Sequence, residues 1–374
     1  MCTWLSVSSR AKRSSTFRPA WRSILLSVVA FGMALAALGA QAREQGEHAQ
    51  ALFVGDTGDN SVKQFQASGN YVGSFVASGA AGLDGPRGMI FTDGQLIVVN
   101  QNVDASNTAG EILRFDGKTG LYLGKLVASS DRNAPFGPRG IVRGGPGSRF
   151  FVADMVGKAS ACAAGNVKEY NENGAFVNSL VPDPRVFTSA FHPRGVVFGP
   201  DGLLYVSASG CLDNNDPLFD PLAGYIVRFN AINHKFVDIF ASNATLPDLH
   251  RPEGLVFDSE GNLWVTSFRA GGSDTDKILK LDGKTGALRD ELVLDSVGGA
   301  RTYAQAIIFG PGGYLYVPVA GSDPKTTGEV QRCNPKTKAC DIFVHANSAG
   351  GSLISPWYLI FENSDPATLN YDGD

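Results

Sequence analysis

Histidine is scarce in this chain, five residues in 374, and methionine and tryptophan number four each. Few histidines leave few of the groups that exchange protons or bind metals near neutral pH. No Gly-x-Ser-x-Gly elbow and no His-Glu-x-x-His pair occurs, so the motif-borne serine and zinc hydrolase readings are unsupported. Positive charge is not in excess either: 32 Lys+Arg face 36 Asp+Glu, a formal net charge of −4. Nucleic-acid binding rests on clustered cations, so no nucleic-acid partner is expected. Residues 51–361 show no helical period, and beyond Leu38 no apolar run approaches the roughly 20 residues of a membrane span.

The N-terminus is different in kind. Residues 1–23 carry Arg10, Lys12, Arg13, Arg18 and Arg22 and no acid; a 15-residue apolar run, Ile24–Leu38, follows, then Ala40-Gln41-Ala42. A cationic start, a short apolar stretch and a small-x-small site make a secretory signal peptide, with cleavage after Ala42. An uncleaved anchor helix is the alternative, and its apolar run is short for that role. Residues 1–42 are thus read as signal, 43–50 as leader, and the mature chain as periplasmic or secreted with no membrane insertion. Cleavage removes five cations and moves the net charge from −4 to −9.

Cys2 leaves with the signal, so Cys162, Cys211, Cys333 and Cys340 remain. An even count in an oxidising compartment points to disulfides. Cys333 and Cys340 flank a short hairpin loop and pair across it. Cys162 and Cys211 occupy equivalent loops of neighbouring repeats, which puts a bridge between them within reach.

The repeat is the dominant pattern. Pro86-Arg87-Gly88, Pro138-Arg139-Gly140, Pro193-Arg194-Gly195 and Pro252-Glu253-Gly254 each precede a short apolar run. Ala304-Gln305-Ala306 and Pro356-Trp357-Tyr358 are the fifth and sixth copies, and the steps are 52, 55, 59, 52 and 52 residues. Each period holds four short runs rich in β-branched and aromatic residues, bounded by Gly, Asp and Asn, which are strand and hairpin signals. Four strands per period of this length make a propeller blade. Residues 51–85 supply only three strands, and Pro356–Phe361 supplies the missing innermost one. The expected fold is therefore all-β, a six-bladed β-propeller over 51–361. Blades start near 86, 138, 193, 252 and 304, one blade is shared between the termini, and a polar tail spans 362–374.

Val54-Gly55-Asp56-Thr57-Gly58-Asp59-Asn60, with Val62 and Phe65 and the recurring Pro-x-Gly, resembles the NHL-repeat signature over nearly the whole mature chain. That resemblance implies the propeller and leaves function open, since such propellers include sensor domains, binding scaffolds and lyases. The related gluconolactonases hold a divalent metal with Glu, Asn and Asp from different blades. Glu253, Asn100, Asn102 and Asp154 would be the counterparts here, although the family's motifs do not line up around them. The streptogramin lyases use placed histidines, for which His192 and His250 are the candidates. The enzyme alternative is thus a metal-dependent hydrolase or a lyase.

Insertions fall between strands two and three and between strand four and the next blade, all on one face, where binding loops sit on rigid scaffolds. The longest, Ser209–Gly224, contains Asp213 and Asp216. Its oxygens suit calcium, and equally suit ordinary turn chemistry. No cofactor is required by the sequence; calcium or zinc enters only with the metal alternatives. The residues inside the Pro-x-Gly copies, Arg87, Arg139, Arg194, Glu253, Gln305 and Trp357, are expected at the channel mouth. Three guanidinium groups there suit an anionic small molecule, glycan or protein segment. The competing reading pairs each arginine with an acid of a neighbouring blade, Asp56, Asp154 or Glu253. A purely structural interaction scaffold is the third.

Overall fold

The computed structural model describes residues 51–103, 108–156, 162–321, 323 and 327–364. The signal segment, the leader and residues 365–374 of the tail lie outside the described residues. Among those described there is no α-helix, only three short 3₁₀ turns. Strands form six four-stranded antiparallel sheets, the six-bladed propeller read from the repeat. Five blades run in chain order from an innermost strand: Pro86–Thr92, Pro138–Gly144, His192–Phe198, Leu255–Phe257 and Ile308–Gly310. In the sixth, Pro356–Phe361 is innermost and pairs with Leu52–Asp56, placing Leu52 opposite Phe361 and Val54 opposite Leu359.

Burial follows position in the blade. Second strands such as Leu52–Asp56, Leu204–Ser209 and Leu263–Ser267 are buried along their whole length. Blades cover them on both faces, which is why they read as continuous apolar runs instead of alternating. Outermost strands such as Tyr71–Val76 and Leu288–Val293 are largely exposed. Edge-on aromatic pairs join blades at five of the six boundaries: Phe53–Phe91, Phe151–Phe198, Tyr205–Phe257, Trp264–Phe309 and Tyr316–Phe361. Each pair adds about 1 kcal/mol beyond the area it buries. At the remaining boundary Arg143 replaces the inner-strand phenylalanine and reaches Asp93 of the preceding blade at 2.5 Å.

The Pro-x-Gly unit has a steric cause. The ladder slips between Pro86 and Met89, Pro138 and Ile141, and Pro193 and Val196, a bulge that re-aims the side chain it contains. The glycine sits where neighbouring inner strands meet. A Cβ on Gly88 would lie 2.7 Å from the Arg139 carbonyl, on Gly140 2.8 Å from that of Arg194, and on Gly195 2.5 Å from that of Glu253. At these three positions the ring leaves no room for a side chain, whereas Ala306 and Tyr358 stand at the equivalent places in the fifth and sixth copies.

Polar residues opposite the prolines tether the incoming loops. Asp56 accepts from Ile354 N and Ser355 N, Asn100 from Asp84 N, and Asp154 from Phe136 N and Gly137 N. Both cysteine pairs are disulfides: Cys162–Cys211 with Cα atoms 5.1 Å apart, and Cys333–Cys340 at 4.0 Å. They fit an oxidising environment. No helix among the described residues is long and apolar enough to cross a membrane.

Candidate anion site at the channel mouth

Arg87, Arg139, Arg194, Glu253, Gln305 and Trp357 all line one cavity of about 30 Å³ at the ring axis. That volume holds two or three waters, or one carboxylate-sized group. The residues converge because each holds the equivalent place in its repeat: Arg87, Arg139, Arg194 and Trp357 lie in bulges of their inner strands, and Glu253 and Gln305 just ahead of theirs.

Every arginine is held by its own blade. Arg87 Nε donates to Gln101 Oε1 at 2.6 Å, Arg139 Nη2 to Met155 Sδ at 3.4 Å, and Arg194 Nη2 to Ser209 Oγ at 3.2 Å. Gln101, Met155 and Ser209 each stand one position after the residue that pairs with the proline, Asn100, Asp154 and Ala208. Trp357 adds a further support: Arg87 stacks on its ring at 3.7 Å and Arg139 approaches it at 4.7 Å. Among the described residues only Arg194 of the three meets an acid, Glu253 Oε1 at 2.8 Å, in a pair with both side chains buried. Asp56 pairs with Lys63, and Asp154 lies 3.8 Å from Lys168, so neither neutralises the arginines.

Three arginines against one glutamate leave this lining with a formal excess of two positive charges. Burial, and then the repulsion of Arg194, brings Arg139 down to about 9. Burial and the neighbouring Arg139 likewise push Arg87 well below its ordinary value. Four buried guanidinium nitrogens have no hydrogen-bond partner: Arg87 Nη1, Arg139 Nε and Nη1, and Arg194 Nε. Buried donors of a charged group left unpaired are costly, and such a set favours an anion over a cation nearby.

A divalent cation does not fit this donor set. Glu253 already engages Arg194, and the rest of the polar wall is mainly cationic. Asn100 and Asp154, read as metal candidates, are turned to the tethering N–H groups and do not line the cavity. Burial raises Asp154 to about 6, against its two backbone donors. In the long loop, Asp213 and Asp216 accept from Asn215 N and Leu218 N, ordinary turn bonds. Asp216 also lies near Cys162 and Cys211, whose sulfurs are joined to each other.

The histidines stand apart from the cavity. His192 is buried and donates from Nδ1 to the Gly210 carbonyl at 2.9 Å, leaving Nε2 without a partner. Burial lowers its pKa, and nearby Arg194 adds to the effect. His250 is held through its backbone N–H to Ser267 Oγ, and its Nδ1 is unpartnered. Neither lines the cavity. Sequence reading missed Arg251. It precedes Pro252, adopts φ 43°, and packs its guanidinium 5.2 Å from the Phe268 ring, with Nε unpaired. Its place directly beside a Pro-x-Gly copy was the available signal.

Neither a family model nor a curated protein matches the chain. Solved structures do match its fold. A luciferin-regenerating enzyme is 14% identical with a TM-score of 0.53, covering 87% of this chain and 92% of that one. A protein of unknown function from Bacteroides caccae is 13% identical with a TM-score of 0.53, covering 84% and 100%. Identities at this level speak for the propeller and not for an activity.

Proposed function

We propose that this is an exported binding protein whose channel mouth captures a small anionic group, free or carried on a glycan or protein segment. The observation that carries the reading is the set of buried, unpartnered guanidinium nitrogens on Arg87, Arg139 and Arg194 around one small cavity. The cationic start of the chain with its short apolar run, and the two disulfides, support export.

The test is calorimetric titration of acetate, sulfate and phosphate into the mature protein at low salt. At least one anion should bind, more weakly as salt rises. Arg139→Gln should lower its affinity by about tenfold, the worth of one charge-assisted hydrogen bond. If no anion binds above the level of chloride, the proposal is wrong.

A further inference from the structure

We infer that the anion taken at this mouth also carries a neutral hydrogen-bond donor, as a small hydroxycarboxylate does; this rests on the anion-binding reading above. The cavity is two-sided. Arg87, Arg139 and Arg194 are consecutive around the ring, and Glu253 and Gln305 follow on the opposite arc. The first arc offers donors without acceptors. The second offers an acceptor without a donor, because Gln305 Oε1 is buried and unpartnered.

The orientation of that amide is settled by its other end. Gln305 Nε2 donates to the Tyr303 carbonyl at 2.8 Å, so the oxygen is the atom left free. A plain carboxylate would satisfy the arginines and leave this acceptor bare. A ligand with an O–H next to its carboxylate would serve both arcs. Glu253, whose Oε1 is held by Arg194, gives the second arc additional acceptor character.

Charge decides which kind of donor belongs there. The lining already has two more positive than negative charges, so an ammonium would add a third and a hydroxyl none.

The probes are acetate, glycolate and glycine, titrated into the mature wild type and into Gln305→Met and Arg139→Gln. Glycolate should bind about tenfold tighter than acetate, since one buried acceptor gains its partner, and glycine more weakly than either. Gln305→Met should bring glycolate to the affinity of acetate, whereas Arg139→Gln should weaken both in proportion. Equal wild-type affinities for acetate and glycolate would overturn this inference and leave the anion reading standing. Tighter binding of glycine than glycolate would overturn it too. Absence of binding by all three, and by sulfate and phosphate as well, would remove both readings. The wild-type comparison stands even if a variant fails to fold.

Discussion

Replacing Glu253 by glutamine separates the anion site from a metal site with a single change, because the two predict opposite signs. Glu253 and Arg194 form a buried ion pair, 6% and 4% exposed, at 2.8 Å. Removing the carboxylate leaves Arg194 buried and unpaired, which destabilises by about 3–5 kcal/mol. The same change raises the excess positive charge of the lining from two to three. For an anion about 5 Å away and an effective dielectric of about 20, one added charge is worth about 3 kcal/mol. The open mouth and counter-ions reduce that figure, so an affinity gain of tenfold to a hundredfold is expected. An anion at about 100 times its Kd returns about 2.7 kcal/mol, most of the loss. The assay is denaturant unfolding of wild type and Glu253→Gln, with and without the best anion found by titration. Glu253→Gln should be the less stable protein alone and should gain more from the anion. A variant that loses stability and anion affinity together would refute the reasoning and make Glu253 itself a ligand-holding group.

Further outcomes follow from the same structure. Asp154 is raised from 3.8 to about 6 by burial, so the folded state binds the extra proton and this group's contribution falls as pH rises from about 4 to 6. The loss is about 3 kcal/mol; Asp154→Asn should flatten that slope in denaturation curves at pH 4 and 7. Gly140→Ala places a Cβ 2.8 Å from the Arg194 carbonyl, whereas one on Gly73 meets nothing within 4 Å. The first should cost about 2–3 kcal/mol and the second under about 1, read by thermal melting. Cys162 and Cys211 close 49 residues of chain, and Cys162→Ser/Cys211→Ser should lose up to about 4 kcal/mol. Peptide mapping of the unreduced protein should recover the linked pair, and two free thiols would disprove it.

The fold was legible because blades are built from one local pattern. Four short runs per period, Gly-rich hairpins and a missing first strand at Leu52 leave little choice of topology. The ring of six axis residues was legible for the same reason, since Arg87 and Trp357 hold equivalent places in the period. Their partners were not. Asp56, Asn100 and Asp154 look in sequence like ligands or counter-ions, yet their oxygens hold the backbone of loops that arrive from the preceding blade. That choice depends on where a loop of the preceding blade passes, which the residue types alone do not record although the three recur opposite the prolines. Arg251 escaped notice because its position rests on a left-handed backbone ahead of a proline, where such residues ordinarily stay extended.

The blade shared by the two ends also sets a timetable. Among the described strands Leu52–Asp56 is the first to be synthesised, and its inner neighbour Pro356–Phe361 is the last. Until that last strand arrives, the apolar flank of Leu52–Asp56 and its backbone ladder stand open, a ready template for another chain. A stop codon just before Pro356 would therefore leave an adhesive ring that cannot close. In the cell, such truncated products would be found in aggregates, and the chain would escape that fate only once Pro356–Phe361 has joined the ring.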